Sequence, residues 1–314
     1  MAGRTIRTPT FFPSVSSVKT NLRPSEYVRI LAALGEPRVL VSAYDVAAAD
    51  ERERFAMVGA LQEVGANGCS ILLDSGNYER FWHRDERWTV TSYADVIASW
   101  PPTLAFSFDH LEPANDPIRA AEDVIAGVLR DQACSTNATI CPIIHARDPG
   151  ALTATVRTVA ERLQPILLAV PERELGDGLL ERADTVHHLR SVLDGVAPAT
   201  ALHVLGTGSP IALLIYAKAG AQSFDGLEWC HTCVDPDAVH LHHFQHRELV
   251  RTITPEITAD LPYAIGTLAH NLLFFRSWMR RITEALATGT AAALLASALP
   301  QTRRDEVLAW FEAR

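Results

Sequence analysis

Lysine is almost missing from this chain, occurring only at Lys19 and Lys218. Any contact with phosphate must therefore come mainly from arginine, whose planar fork suits that geometry. Long apolar runs are missing as well. No stretch approaches the roughly 20 apolar residues that span a bilayer, and the longest small-residue run, Ala291 to Leu299, is far too short. The opening residues, Met1-Ala-Gly-Arg-Thr-Ile-Arg7, lack the apolar core of a signal peptide. A cytoplasmic protein with no membrane partner is expected. Cysteine is sparse and odd in number: Cys69, Cys134, Cys141, Cys230 and Cys233. Most stand in apolar, strand-like contexts, which fits reduced structural thiols better than a disulfide framework. Internal repeats, low-complexity tracts and an interdomain linker are absent. The net charge of −9 argues against broad, non-specific adhesion to nucleic acid. A local basic groove depends instead on where the arginines lie.

What the chain does have is eight short apolar runs. Strands are expected near 10–16, 39–44, 70–75, 104–109, 139–146, 165–171, 201–207 and 221–227. Helical stretches lie between them at 46–63, 117–131, 149–163, 178–194 and 209–219. Asp116-Pro117 and Asp148-Pro149 read as capped helix starts with proline in the first turn. Strands apolar on both faces signal a parallel sheet. Eightfold strand–helix alternation at this length favours an α/β fold, a (β/α)8 TIM barrel, over an open sheet. One domain is expected, with the barrel over about 8–235 and a helical tail over about 236–314. In the tail, Leu268, Leu272, Phe275, Met279, Ile282 and Leu286 form one apolar stripe of an amphipathic helix over Thr267 to Leu286.

The strand ends carry Asp74, Asp109, His145, Glu172, Gly206, Gly208 and Asp225. In a barrel such positions converge on one face, where the active site sits. A single aspartate at a strand end is usually a turn or helix cap. Three in equivalent positions point to chemistry, because neighbouring carboxylates push one another's proton affinities apart and so take different roles.

Several segments resemble motifs of the tRNA-guanine transglycosylases, in the family's order. Thr8-Pro-Thr-Phe-Phe-Pro13 followed by Val18-Lys19 resembles their opening, and Asp74-Ser75-Gly76-Asn77-Tyr78 their Asp-Ser-Gly-Gly-Phe motif. Val204-Leu-Gly-Thr-Gly208-Ser-Pro210 resembles their Met-Gly-Val-Gly-Thr-Pro turn. Gly220-Ala-Gln-Ser-Phe-Asp225 is similar to the segment holding their nucleophile, and His270-Asn271-Leu272 to the His-Asn-Leu of their C-terminal helix. The resemblance implies base exchange at a nucleoside through a covalent aspartate–sugar intermediate, with a 7-deazaguanine replacing guanine in a nucleic acid. It implies Asp225 as nucleophile and Asp74 as general acid/base. Asp109 would grip the purine edge, with Ser75, Gly76, Gly206 and Gly208 shaping the pocket. Covalent catalysis divides a difficult displacement into two easier steps, and the target base must leave its stack to be reached.

The chain also departs from that pattern. Pro171-Glu172 stands where the family has a pocket-lining Gly-Gly, so Glu172 either binds an amino group of the incoming base or pairs with Arg173 or another arginine. His145 stands where the family commonly has glutamine; it is either a satisfied core histidine or a pocket residue. The family's Cys-x-Cys-x-x-Cys…His zinc cluster is absent, and no cofactor is expected. Cys230 and Cys233, with His242 and His246, are alternative zinc ligands by type, against ordinary loop cysteines and a polar face. These losses resemble the branch that modifies DNA more than the tRNA enzymes. Arg247, Arg251, Arg276 and Arg280 are the candidate phosphate track, the alternative being a solvated helix face. The resemblance implies a homodimer, and the acidic overall charge leaves room for an accessory protein that supplies the nucleic-acid grip. The competing readings are a non-catalytic subunit that binds nucleic acid or a partner, and an unrelated metal-dependent hydrolase barrel, which lacks its His-x-His in Ser14-Val-Ser-Ser17.

Overall fold

Eight parallel strands curl into a nearly closed barrel ringed by helices. The computed structural model describes residues 6–47, 50–100, 102–135, 137–254, 260–300, 302 and 304–313. The strands are β1 (Thr10–Val15), β2 (Arg38–Ser42), β3 (Ser70–Asp74), β4 (Leu104–Phe106), β5 (Thr139–Cys141), β6 (Leu167–Pro171), β7 (Ala201–Leu205) and β8 (Ser223–Gly226). Their order is β5-β4-β3-β2-β1-β8-β7-β6. An isolated bridge between Ile143 and Ala169 closes the ring, with the Ala169 N–H donating to Pro142 O at 2.9 Å.

Side chains alternate across each strand, and the alternation divides the core in two. Phe12, Leu40, Leu72, Phe106, Cys141, Ile143, Leu167 and Ala169 fill the barrel interior. The opposite parity, such as Phe11, Val39, Val41, Ile71 and Leu73, packs against the surrounding helices. The register Phe12↔Asp225 puts Asp225 on the inward set, and Asp74 follows Leu72 by two residues on the same set. Both carboxylates therefore end an inward-facing column at the barrel's C-terminal rim.

All eight strands are shorter than their apolar runs predict, and two lose half their length or more. The run 104–109 stops pairing at Phe106, and 139–146 stops at Cys141, because Pro142 brings no N–H to the ladder. Asp109 and His145 consequently sit on the loops beyond β4 and β5. The expected helices at 117–131, 149–163, 178–194 and 209–219 stand at Pro117–Cys134, Pro149–Leu163, Leu179–Val196 and Pro210–Ala219. The expected helix 46–63 is instead a short turn, Ala43–Val46, and a helix Glu51–Ala66; residues 48 and 49 lie outside the described residues, as do residues 1–5 of the opening segment. Helices Pro24–Ala33, Asn77–His83 and Val90–Ser99 are additional to those expected.

The segment beyond the barrel is not wholly helical. It opens with an antiparallel hairpin, β9 (Thr232–Asp235) and β10 (His240–His243), before helices Tyr263–Thr288, Ala291–Ala298 and Arg304–Glu312. Residues 255–259, 301, 303 and 314 of the expected tail lie outside the described residues. The long helix buries Leu268, Leu272, Phe275, Met279 and Ile282 against the barrel, with Leu286 partly buried. Its Asn271 donates to the carbonyls of Trp229 (2.8 Å) and Thr232 (2.6 Å) and accepts from the Val234 N–H (3.0 Å). This fully buried amide fixes the hairpin that follows β8. Asn271→Ala, which orphans three backbone groups, is expected to cost about 2–4 kcal/mol; a urea-unfolding loss below 1 kcal/mol would show that the clamp is dispensable.

The five cysteines form no disulfide, and four of them are buried. Among the described residues, no helix is long and apolar enough to cross a membrane.

Candidate active site

At the end of β8, three donors converge on the Asp225 carboxylate. Ser14 Oγ from β1 donates to Oδ2 at 2.7 Å, the Gly206 N–H donates to Oδ1 at 3.0 Å, and His203 Nε2 lies 3.1 Å from Oδ1. His203 is inside the barrel on β7, with its Nδ1 2.7 Å from Ser223 Oγ. The Gly206 N–H points at the carboxylate because the backbone there is left-handed, φ +74°, a conformation that glycine adopts without strain. Trp229 ties this corner to the barrel by donating its indole N–H to Ser14 O at 2.8 Å. The result is an oriented carboxylate at the mouth.

Asp74 is handled differently. Its Oδ2 accepts the Gly76 N–H at 3.0 Å, and the turn is pinned by the indole N–H of Trp88 on Ser75 O at 3.1 Å. Burial, then the negative charges of Asp109 and Glu79, push the Asp74 carboxyl well above its ordinary range; the charge of Asp225 adds in the same direction. Glu79 lies buried alongside, accepting from Ser16 Oγ (2.5 Å) and Ser42 Oγ (2.6 Å), and burial raises it too. Asp74 is thus biased toward its protonated form, at the same rim as the ordered Asp225. One mouth holds both carboxylates, in contrasting environments.

Asp109 and His145 form a third unit. His145 Nε2 lies 2.8 Å from Asp109 Oδ2, and its Nδ1 lies 2.7 Å from Glu174 Oε1. Glu174 is itself fixed by the Ala146 N–H at 2.8 Å. Burial disfavours the imidazolium, but bonds to the two carboxylates outweigh it and raise His145 to about 9. Asp109 responds in the opposite sense: burial pushes it up, yet His145, Ser75 and Asn77 together bring it below its ordinary value. Ser75 Oγ (2.5 Å) and Asn77 Nδ2 (2.9 Å) both donate to Asp109 Oδ1. His145 is therefore neither a neutral core histidine nor a free pocket donor. It is a cation locked between two acids. A cavity of about 610 Å³ opens beside this pair, walled also by Phe108, His110, Arg130 and Ile143.

Glu172 resolves in favour of an ion pair, with an arginine other than its neighbour. Its Oε1 lies 3.5 Å from Arg182 and accepts from the Tyr216 hydroxyl at 2.8 Å. Gly208 is required by close approach: a Cβ there would stand 1.8 Å from Glu228 Oε2. Glu228 Oε2 is buried without a hydrogen-bond partner, and burial, with the charges of Asp225 and Glu172, raises that carboxyl to about 7. Ser14, His203, Glu174 and Glu228 join the site without having been marked by any sequence motif. A histidine in the middle of an apolar strand was the available signal for His203. The others depend on contacts across 29 or more positions or on loop packing.

The arginine track is not a track. Arg276 donates to Leu34 O (3.0 Å) and Glu36 (3.1 Å), on the loop that leads into β2. That places it at the N-terminal end of the barrel, opposite the mouth, and Arg280 lies one helical turn further on, 3.9 Å from Glu284. Arg251 is bound to Asp237 at 2.8 Å, and Arg247 stacks on Tyr263 with its centre 4.7 Å from the ring. The zinc alternative fares no better. Cys233 and His242 are register partners in the hairpin, Cys230 donates to Leu227 O, and His246 packs on His243. Among the described residues, no group of three or more His, Cys, Asp or Glu side chains is arranged to hold a metal ion. His270, in the His-Asn-Leu segment, sits 2.7 Å from Val234 O through Nε2 and accepts the Ile253 N–H at Nδ1. Both ring nitrogens serve the backbone, and burial lowers its proton affinity. The residues present do not fit the family's zinc.

No family model matches the chain, and no curated protein matches it significantly.

Proposed function

We propose that this chain is a pentosyltransferase that exchanges guanine in a nucleic acid for a 7-deazaguanine base, with DNA favoured over tRNA. The observation that carries the reading is that Asp74, its carboxyl pushed well above the ordinary range, shares one barrel mouth with a triply held Asp225. An Asp225 oxygen attacks C1′ of the nucleotide; the C1′–N9 bond breaks and its electron pair leaves with guanine, which takes the Asp74 proton. The incoming base returns a ring N–H proton to the Asp74 carboxylate and attacks C1′, and the Asp225–C1′ ester bond breaks. Atoms and charge balance without any cofactor. The resemblance in motif order supports the same assignment.

Asp109 contributes through the acceptor capacity it has left. Of roughly four lone-pair sites on a carboxylate, three are already taken by Ser75, Asn77 and His145. It therefore reads the purine edge with one remaining site, or by exchanging the Ser75 donor for a base N–H. His145 positions Asp109 and does not touch the base.

Exchange of labelled guanine into single-stranded DNA and into tRNA tests the reading. Asp74→Asn, which has no proton to give, is expected to lower exchange by about 10²–10⁴-fold. The wild-type rate should fall as pH rises, since Asp74 loses the proton it donates. Full activity of Asp74→Asn, or exchange that climbs steadily with pH, would remove Asp74 from the mechanism and favour the non-catalytic subunit.

A further inference from the structure

The turn that carries Asp74 runs directly into the short helix Asn77–His83, which turns its aromatic rings outwards. Tyr78 is 39% exposed, Phe81 63% and Trp82 46%. The rings interlock edge to face, with centroids 6.3 Å apart for Tyr78–Trp82 and 5.6 Å for Phe81–Trp82. Contiguous exposed rings of this kind mark an interaction site. The ribbon begins at the mouth: Tyr78 feels the charges of both Glu228 and Arg173, which flank the β8 and β6 ends. From there it runs outwards through Trp82 to Phe81.

Cationic groups border the rings. Lys19, one of only two lysines in the chain, places Nζ 3.8 Å from the Trp82 ring centroid. It leaves β1 with a left-handed backbone, φ +55°, and Arg84 closes the aromatic helix with φ +52°. Both side chains are exposed, and among the described residues neither lies within ion-pair distance of a carboxylate. The neighbouring Arg80 and Arg87 are neutralised by Glu86 (3.2 Å) and Asp85 (2.8 Å). Two cations without an ion-pair partner next to exposed edge-to-face rings, on an otherwise acidic chain, complement a polyanion that carries flat bases.

We infer that Trp82 and Phe81, with Lys19 and Arg84, form a stacking platform for unpaired nucleotides that flank the exchanged guanine. The polymer is single-stranded at this point, because a base within a duplex has both faces covered by its stacked neighbours. Bases stack on the two rings, while Lys19 and Arg84 meet the phosphates. Stacking is tolerant of sequence, so the platform supplies grip and register and leaves base choice to the pocket. The inference rests on the base-exchange reading for the identity of its polymer.

The test is equilibrium binding of the full chain to a fluorescein-labelled 15-nucleotide single strand, as DNA and as RNA, with the matching duplex as control. Wild type is expected to bind a single strand more tightly than the duplex. Trp82→Ala and Phe81→Ala should each weaken binding about tenfold or more, while Trp82→Phe keeps most of it. Lys19→Ala should reduce the slope of log K on log salt by about one. Unchanged binding by a folded Trp82→Ala/Phe81→Ala double variant overturns the platform; if that variant still forms the Asp225-dependent adduct, the base-exchange reading stands alone. Equal affinity for duplex also overturns it. Failure of wild type to bind any oligonucleotide, with binding to anionic vesicles or to a protein instead, assigns the rings to another partner and overturns the proposal.

Discussion

Asp225→Asn is expected to lower base exchange by about 10⁴-fold or more while leaving the barrel folded. The magnitude follows from removing a nucleophile that works as one unit with its acid. Folding survives because an asparagine oxygen still accepts from the Gly206 N–H, and the Ser14 hydroxyl can rotate to accept from the new amide. Steady-state exchange of labelled guanine, with circular dichroism and urea unfolding beside it, measures both halves of the statement. A variant that keeps a tenth of the activity would move the covalent step to another carboxylate, with Glu228 the nearest in chemistry.

His145→Gln should destabilise the protein by about 3–5 kcal/mol, as expected for breaking a buried ion pair from one side. The glutamine retains hydrogen-bonding atoms but removes the cation, so Asp109 and Glu174 face each other with their charge uncompensated. The pH dependence has a definite sign. His145 is raised from 6.5 to about 9 in the fold, so its stabilisation is complete below pH 6.5 and is lost as pH climbs through about 9. The shift corresponds to an amount on the order of 3 kcal/mol. Asp109, lowered by the same contacts, contributes above its ordinary value of 3.8 and loses that contribution as pH falls through its lower folded value. Urea unfolding at pH 6 and pH 9 should therefore separate wild type from His145→Gln strongly at the lower pH and much less at the higher. A constant gap between the two pH values would contradict an imidazolium at this position.

The legible part of this molecule is what strand parity controls. Apolar runs ending in Asp74 and Asp225 give both the barrel and the rim positions of those two carboxylates, because side-chain direction repeats every second residue. Asp109 and His145 were legible only as strand ends at the same rim, and the fold places them instead on the loops beyond β4 and β5. Their bond to each other spans 36 positions, and the bond to Glu174 another 29, so only the folded chain brings the three together. The arginines show the opposite failure. Arg276 and Arg280 read as a basic stripe, but the long helix descends the barrel, and its second half reaches the wrong end. His270 illustrates a third kind: a residue type suited to metal is taken up by two backbone groups whose positions no local pattern reveals.

The barrel mouth combines an ordered Asp225 with an Asp74 whose carboxyl is pushed upward, and the proposed reaction requires that Asp225 bond covalently to a sugar carbon. Trapping tests it most directly. Purified chain and Asp225→Asn are incubated separately with guanine-containing tRNA and with single-stranded DNA, then denatured and run on a gel. The account predicts a slower band with one polymer, strongest for DNA, that disappears in Asp225→Asn and on addition of the incoming base. A band that persists in Asp225→Asn, or folded wild-type protein that forms none with either polymer, would contradict it.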